Sequence, residues 1–172
     1  MRVISICPSN TEIVAYLGLT DLLVGVDDYS DWPEAVKSLP RLGPDLSINM
    51  DLVQELNPDL VIASLSVPGM EKNIDSLIKR GIPHIVLNPQ SLADIEDDLR
   101  KTAIALGREE LGEKAARKFH NEVDALKAVS QHITVKPSLY WEWWPKPVFS
   151  PGKTNWLTEI SQLAGAYNLF KD

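Results

Sequence analysis

Short apolar runs alternate with amphipathic stretches through roughly the first hundred residues, a pattern typical of a parallel sheet covered by helices. The apolar runs predict strands at Val3–Cys7, Leu22–Val26, Leu60–Ala63 and His84–Leu87. The helical patterns predict helices at Thr11–Leu17, Ser47–Leu56, Gly69–Arg80 and Leu92–Leu106. The later strands are short and continuously apolar, as expected when both faces of a sheet are covered. Residues 1–107 are therefore predicted to form an α/β lobe with a parallel sheet.

Polar residues and glycines predict where several helices begin and end. Ser9 or Asn10 is expected to cap the first helix, and Gly18 to end it. Ser91 is expected to cap the helix that Gly107 ends.

Residues 108–134 hold one long helical pattern without proline. Apolar residues recur close to the period of a helix, at Leu111, Ala115, Phe119, Val123, Leu126 and Val129. About 25 helical residues would span ~38 Å, longer than a small domain needs. We therefore predict a connecting helix over 108–134, packed along one side.

A new unit begins after this helix and occupies residues 135–172. Ser138–Trp144 is predicted as a strand, Pro145–Lys153 as a loop, and Thr154–Tyr167 as a helix that Thr154 or Asn155 caps. One strand and one helix cannot form an independent core. The strand either joins the first sheet or begins a second, incomplete lobe.

Aromatic residues concentrate near the end of the chain. Of twelve aromatic residues, eight fall between Tyr140 and Phe170, with three tryptophans at positions 141, 143 and 144. Along a strand, Trp141 and Trp143 would share one face, leaving Trp144 on the other. Such a segment, running into a proline-stiffened loop, suits a surface that holds a large flat organic ligand. The alternative is a wide core with a loop packed on it.

Composition and charge exclude several classes of function. The net charge of −7 and the absence of a basic stripe argue against nucleic-acid binding. A single cysteine, Cys7, excludes an internal disulfide, and its apolar neighbours predict burial. The three histidines lack the spacing of metal ligands, so no intrinsic metal or cofactor is expected. Asp27, Asp28 and Asp31 could bind Ca²⁺ or act as acid and base, but a solvated, turn-forming acidic loop is the preferred interpretation.

Enzyme motifs are missing from the sequence. There is no G-x-S-x-G turn and no G-x-G-x-x-G after a strand, so a nucleotide-binding enzyme with a doubly wound sheet is disfavoured. Pro151–Thr154 ends like a phosphate loop, yet the glycine needed five residues before Gly152 is Pro147. No apolar run approaches the roughly 18 residues of a membrane span. No signal peptide precedes the first strand, which by itself indicates a cytoplasmic chain or one whose leader is not in this sequence.

A set of motifs in fixed order gives a family resemblance. They are Arg2–Glu12, Leu17–Gly18, Val24–Val26, Tyr29–Pro33, Leu39–Gly43, Pro58–Ala63, Ala164–Gly165 and Asn168–Asp172. Together they resemble the helical-backbone (class III) substrate-binding proteins of ABC importers, which serve vitamin B12, ferric siderophores and haem. The similarity is greatest to the cobalamin-binding branch.

The resemblance implies two α/β lobes joined by one rigid helix, with a ligand in the cleft between them and no catalysis. It also implies that this chain is truncated in its second lobe. The expected ligand is cobalamin, with a ferric siderophore or haem as the alternative. The expected partner is an ABC permease, and the expected location is extracytoplasmic, in the periplasm or at the cell surface.

The resemblance also assigns roles to individual residues. Ligand contacts are expected from Pro8, Ser9, Asn10, Tyr29, Trp143, Trp144 and Phe149. Ser64 stands where some relatives have a ligand-stacking tryptophan. Permease docking is expected from an acid on each lobe, for which Glu34 and Glu159 are the candidates; Gln162 occupies the second-lobe position itself.

Two further alternatives concern the ligand. Siderophore receptors tend to offer basic groups to an anionic chelate, and the bases near the expected site are Arg41, Lys146 and Lys153. A carbohydrate-binding module that uses the tryptophan cluster as a sugar platform is a more distant alternative.

Overall fold

The structure of the chain, a computed structural model, describes residues 1–171, apart from the side chains of Trp144 and Pro145. The chain folds into two compact units. Unit 1 comprises Met1–Asn88 and Asp98–Ala115, and unit 2 comprises Pro89–Asp97 and Ala116–Asp172.

Unit 1 contains a four-stranded parallel sheet. Its strands are β1 (Val3–Ser5), β2 (Leu23–Val26), β3 (Leu60–Ser64) and β4 (His84–Leu87). Their order across the sheet is β2-β1-β3-β4, and each neighbouring pair is parallel. The predicted parallel α/β sheet is confirmed, and continuous apolar runs explain why these four strands could be recognised.

The core of unit 1 forms where apolar side chains of the sheet pack against helices and the loop between them. Its buried members are Ile4, Ile6, Leu42, Ile48, Met50, Val53, Val61, Ala63, Leu77 and Ile82. Cys7 is also buried, as the sequence predicts.

The helices are α1 (Pro8–Tyr16), α2 (Met50–Glu55), α3 (Glu71–Arg80), α4 (Leu92–Ala105), α5 (Glu109–Ser130) and α6 (Trp156–Leu163). The long helix predicted from the helical pattern is observed as α5, with 22 residues, and its role as a connector stays a prediction. The ranges of the two units divide within α4 and within α5.

Several predicted helix boundaries change in the structure. The prediction that Ser9 or Asn10 caps α1 is wrong, because the helix already begins at Pro8 with Cys7 as its N-cap. Proline suits the first position of a helix, where its missing N–H would have no partner. Helix α2 begins later than predicted because Asn49 caps it, its side-chain oxygen accepting from Asp51 and Leu52.

Other predicted boundaries are confirmed. Ser91 Oγ accepts a 3.1 Å hydrogen bond from the N–H of Asp94 at the start of α4. Gly107 follows the end of α4 with a φ of +66°, a left-handed conformation that favours glycine. Asn155 caps α6 through the N–H of Leu157 at 2.9 Å.

Unit 2 contains two short sheets. Strand β5 (Ser138–Leu139) pairs in parallel with β8 (Tyr167–Asn168), so it does not join the sheet of unit 1. Strands β6 (Trp144–Pro145) and β7 (Val148–Phe149) form an antiparallel hairpin. A single strand over Ser138–Trp144 is therefore wrong, because the parallel pairing ends at Leu139 before the hairpin begins.

No helix in the described part of the chain combines the length and apolar character that crossing a membrane requires.

Candidate ligand-binding surfaces

Two aromatic rings stand exposed on the loop that follows β2, residues 27–33, which we call the aromatic loop. Tyr29 is 58% exposed, and Trp32 is exposed to a similar degree. The loop leaves the sheet at the carboxyl end of β2, the edge where open parallel sheets bind their ligands. Tyr29 is therefore exposed at this edge of the sheet, and its contact with ligand stays a prediction.

The aromatic loop is fixed from below by buried Asp27. Its carboxylate accepts hydrogen bonds from the N–H of Tyr29 at 2.9 Å and from the hydroxyl of Ser30 at 2.5 Å. Arg41 Nη1 donates to the carbonyl oxygens of Asp27 and Ser30, at 2.9 and 2.6 Å. The exposed rings are therefore carried by a main chain that is already ordered, which lowers the entropy cost of binding.

The burial of Asp27 corrects the interpretation of the acidic loop. Asp28 and Asp31 are exposed as predicted, but Asp27 is fully buried. Burial raises the pKa of Asp27, and Asp45 raises it further, while the hydrogen bond from Ser30 acts against this rise. The sequence signal was the position of Asp27 directly after β2, where the chain is still inside the sheet.

Pro8, Ser9 and Asn10 form the first turn of α1 at the end of β1. The side chain of Ser9 is exposed, and Pro8 is half-buried. Asn10 is only 2% exposed, and its Nδ2 donates to the carbonyl oxygen of Ile62 at 3.3 Å. Asn10 thus links α1 to β3, while the hydroxyl of Ser9 lies 3.3 Å from Cys7 Sγ.

Ser64 ends β3 and is buried. Its hydroxyl lies 2.9 Å from that of Ser66 and accepts from the Ser66 N–H at 3.1 Å. The side chain therefore closes the turn after β3.

In unit 2, the β6–β7 hairpin brings two of the predicted aromatic residues together. Trp143 is 49% exposed and Phe149 is 57% exposed. The main-chain N–H of Trp143 donates to the carbonyl oxygen of Phe149 at 2.9 Å, which joins the main chains of the two residues across the hairpin. The prediction for Trp144 concerns a side chain outside the described part of the structure.

Three other aromatic residues of this region, Trp141, Tyr140 and Phe170, contact neighbouring side chains. Trp141 is half-buried, and its Nε1 donates to Ser161 Oγ at 2.9 Å. Tyr140 and Phe170 meet edge to face, with ring centroids 5.9 Å apart. The predicted pairing of Trp141 and Trp143 on one face is wrong, because no continuous strand joins them.

Asn168 is a positioning residue that sequence reasoning missed. It is almost completely buried, and its Nδ2 donates to the carbonyl oxygen of Pro151 and to Thr158 Oγ1, both at 2.7 Å. Thr158 in turn donates to the carbonyl oxygen of Gly152 at 2.8 Å. These bonds fix the loop between β7 and α6. The only sequence signal was the presence of Asn168 in a family motif.

The two acids predicted for permease docking have different surroundings. Glu34 is exposed and forms an ion pair with Lys37 at 2.7 Å. Glu159 Oε2 accepts a hydrogen bond from the N–H of Leu92 at 2.6 Å, so it contributes to the start of α4. Gln162 is exposed on α6.

A groove of about 600 Å³ lies within unit 2, between the start of α4, α5 and α6. Its lining includes Glu96, His120, Lys127, Glu159 and Tyr167. Among the residues that the structure describes, Glu159 and Gln162 line it, and none of the predicted ligand contacts does. Size alone does not make it a ligand site, because Tyr29, Trp143 and Phe149 do not line it.

Within residues 1–171, no group of three or more His, Cys, Asp or Glu side chains is placed to hold a metal ion.

Comparison with known families identifies the class of protein. The sequence profile of the family described as "Periplasmic binding protein" matches residues 3–172. The chain belongs to the periplasmic binding protein family. The resemblance drawn from the motifs is confirmed.

Two relatives illustrate the similarity. The "Vitamin B12-binding protein" of Vibrio vulnificus (strain CMCP6) is 31% identical over 169 residues, covering 98% of this chain and 61% of the relative. The protein of the same name from Yersinia pestis (strain Pestoides F) is 31% identical over 172 residues, covering 99% of this chain and 60% of the relative. The chain therefore spans about three fifths of the length of these relatives.

Solved structures confirm the fold class. The periplasmic vitamin B12 binding protein BtuF of Vibrio cholerae superposes with a TM-score of 0.83 at 29% identity, covering 99% of this chain and 66% of that one. The periplasmic heme-binding protein RhuT from Roseiflexus sp. RS-1 gives 0.84 at 26% identity, covering 97% of this chain and 65% of that one.

Proposed function

We propose that this chain belongs to the ligand-binding component of an ABC importer and that it binds a corrinoid such as cobalamin without catalysis. The observation that carries the proposal is the exposed ring of Tyr29 on a loop held by Asp27 and Arg41. A tyrosine ring in a fixed position offers a flat apolar face to a macrocycle at low entropy cost. Relatives named as vitamin B12-binding proteins support this ligand.

The hairpin of unit 2 supports the same class of ligand. Trp143 and Phe149 are both exposed, their main chains are hydrogen-bonded, and exposed apolar surface that is grouped in one region often marks a binding site. We propose that both contact ligand, and that Trp144 and the exposed Ser9 do as well. We also propose that Pro8 contacts ligand and that Asn10 contributes by holding α1 in position.

Basic groups bear on the choice between a corrinoid and an anionic iron chelate. Arg41 Nη1 is engaged by two main-chain carbonyl oxygens of the aromatic loop, so this guanidinium serves the loop. Lys146 and Lys153 are exposed in unit 2. A strongly anionic siderophore calls for several convergent cations. The engagement of Arg41 therefore favours the less anionic corrinoid.

Haem is the second candidate ligand. The similarity to a heme-binding structure at 26% identity favours it, and an apolar macrocycle would use the same aromatic surfaces. The titration below includes haemin for this reason.

The proposal extends to location and partners. The family description supports an extracytoplasmic location, and an ABC permease is the proposed partner, docked through Glu34 and Glu159. We also propose that residues 1–107 form an N-terminal lobe, 108–134 a connecting helix, and 135–172 part of a second lobe.

Titration with cyanocobalamin tests the proposed ligand. The readout is intrinsic tryptophan fluorescence of the full-length gene product, corrected for absorption by the ligand. We expect saturable quenching at about micromolar concentration or below, typical of a specific receptor. Tyr29→Ala leaves every tryptophan in place and should weaken binding by about tenfold or more.

Matched variants and ligands make the result specific. Tyr29→Phe keeps the ring and should retain most of the affinity, and Val129→Ala changes an exposed side chain on α5 and should have no effect. Saturation by haemin but not by cyanocobalamin would replace the corrinoid with haem. Saturation by neither ligand would contradict the proposed function. Unchanged affinity in Tyr29→Ala would contradict the assignment of Tyr29 as a ligand contact.

A further inference from the structure

A continuous chain of hydrogen bonds runs beneath the aromatic loop. The Asp27 carboxyl lies 2.5 Å from Ser30 Oγ, which lies 2.7 Å from Thr11 Oγ1. Thr11 Oγ1 lies 2.8 Å from Ser5 Oγ, and Ser5 Oγ lies 3.1 Å from the carbonyl oxygen of Cys7. The side chains of Asp27, Ser30, Thr11 and Ser5 are all buried. This series of hydrogen bonds connects the aromatic loop to α1 and to the end of β1.

This series of hydrogen-bonded groups contains more oxygen–oxygen contacts than hydroxyl protons. The four short oxygen–oxygen contacts along the path from Asp27 to Cys7 share the three hydroxyl protons of Ser30, Thr11 and Ser5, and Thr11 Oγ1 makes a fifth, longer contact of 3.4 Å with the carbonyl oxygen of Cys7. When Asp27 is ionised, Ser30 donates to it and at least one of the four short contacts must lack a proton. When Asp27 is protonated, its proton is the fourth. Each of the four short contacts can then hold one hydrogen bond, all pointing from Asp27 towards Cys7.

We propose that Asp27 is a positioning residue whose proton completes this chain, so that its ionisation loosens the aromatic loop and weakens ligand binding through Tyr29. The inference deepens the proposed function and rests on it for the binding readout. The second carboxyl oxygen of Asp27 accepts from the N–H of Tyr29, so the carboxyl joins the buried chain directly to the main chain of the exposed ring. On ionisation the proton passes to solvent and no covalent bond between heavy atoms changes.

The groups around Asp27 agree with a carboxyl that holds its proton unusually well. Burial has the largest effect and raises its pKa above the ordinary value of 3.8; the hydrogen bonds from Ser30 and from the N–H of Tyr29 act against this rise, and the charge of Asp45 adds to it. The neighbouring cation is Arg41, whose Nη1 donates to main-chain carbonyl oxygens of the aromatic loop. Helix α1 and strand β1 present the neutral hydroxyls of Thr11 and Ser5.

The test compares two substitutions of Asp27 across pH in the full-length gene product. Asp27→Asn imitates the protonated acid, because its amide can donate to Ser30 while its oxygen accepts from Tyr29. Asp27→Ala removes both bonds. Cyanocobalamin affinity is measured from pH 4 to pH 9, with Asp75→Asn, an exposed aspartate on α3, as the matched control.

The expected profiles differ clearly. Wild type and Asp75→Asn should lose affinity, by up to about tenfold for one hydrogen bond, as pH rises through the pKa of Asp27. Asp27→Asn should show a flat profile and bind more tightly than wild type at the alkaline end. Asp27→Ala should bind weakly at every pH. The proposal is overturned if Asp27→Asn follows the wild-type profile or is as weak as Asp27→Ala.

A ligand-free measurement separates this inference from the proposed function and does not depend on the folding of Asp27→Ala. The amide resonance of Tyr29 is followed by NMR against pH without ligand. We expect it to titrate with a pKa above 3.8 in wild type and to stay constant in Asp27→Asn. A constant amide shift in wild type would overturn the role of Asp27, even if cyanocobalamin binds. Failure of every ligand to bind would remove the proposed function but leave this titration as evidence on Asp27.

Discussion

The carboxylate of Glu159 on α6 accepts a 2.6 Å hydrogen bond from the main-chain N–H of Leu92, the first residue of α4. The first N–H groups of a helix have no partner within the helix, and the helix dipole favours a negative charge there. Glu159 therefore stabilises the start of α4 inside unit 2. A residue proposed for permease docking has a structural role as well.

Replacing Glu159 should lower the stability of the protein. We expect Glu159→Ala to reduce the free energy of unfolding by about 1–2 kcal/mol, because one charge-assisted cap is lost. Glu159→Gln, which keeps an acceptor oxygen without the charge, should lose less. Urea denaturation followed by circular dichroism measures both. Glu34→Ala is the control and should stay within about 0.5 kcal/mol of wild type, because its ion pair with Lys37 is exposed.

An equal loss in Glu34→Ala and Glu159→Ala would contradict this assignment. The stability comparison also matters for any test of permease docking, because reduced transport in Glu159→Ala is evidence for docking only when it is corrected for the fraction of unfolded protein.

Asn168 should be the most sensitive polar residue of unit 2. Asn168→Ala leaves the carbonyl oxygen of Pro151 and the hydroxyl of Thr158 without their buried donor. We expect the free energy of unfolding to fall by about 2–3 kcal/mol. The exposed Asn121 on α5 provides the control, and Asn121→Ala should change stability by less than about 0.5 kcal/mol. Equal denaturation midpoints for the two variants would show that this buried network adds no stability.

Gly112 is needed in unit 1 for close packing of α5 on α4. A Cβ at this position would lie 2.5 Å from the Cβ of Ala103, which is far too close. Gly112→Ala should therefore destabilise the protein by about 1–2 kcal/mol, although alanine is the better helix former by ~1 kcal/mol. Thermal or urea denaturation measures the change.

The reciprocal substitution tests the cause. Ala103→Gly removes the clashing methyl group, so the double variant should be more stable than the sum of the two single effects predicts, by at least about 1 kcal/mol. Additive effects would mean that the Cβ–Cβ contact is not responsible. Gly152→Ala, where a Cβ would meet its nearest neighbour at 3.9 Å, should be nearly neutral.

The sheet of unit 1 could be predicted because each strand is a local apolar run. Strand β3 extends one residue beyond the predicted Leu60–Ala63, and β4 coincides with the prediction. The long helix α5 was recognisable for a similar reason, since its apolar residues recur at the helical period. Local sequence patterns are sufficient to predict a strand or helix where the buried residues recur at the period of that element.

The site depends on contacts between residues that are distant in sequence, and these were not predictable. The acidic composition of the loop predicts solvent exposure for Asp27, and although its position directly after β2 hints at burial, the sequence does not reveal its link through Ser30 to Thr11. The exposed position of Tyr29 fits the expectation from the family, but its contact with ligand stays a prediction. The prediction of one strand from Ser138 to Trp144 was wrong because apolar content alone does not show where the pairing between strands ends.

The buried carboxyl of Asp27 should also make stability depend on pH, in the direction opposite to a salt-bridged aspartate. Its pKa in the folded protein lies above the ordinary value of 3.8, so in the window between the two values the folded state binds the proton and the unfolded state does not. Stability from this group is therefore present at low pH and is lost as pH rises through that window. Each unit of separation between the two pKa values corresponds to about 1.4 kcal/mol in the free energy of unfolding.

The measurement is urea denaturation of wild type and Asp27→Asn at intervals from pH 3.5 to pH 8, using the difference between the two proteins so that other titrating groups cancel. We expect wild type to lose stability relative to Asp27→Asn as pH rises, and a difference that is constant with pH would mean that the carboxyl has the same pKa in both states.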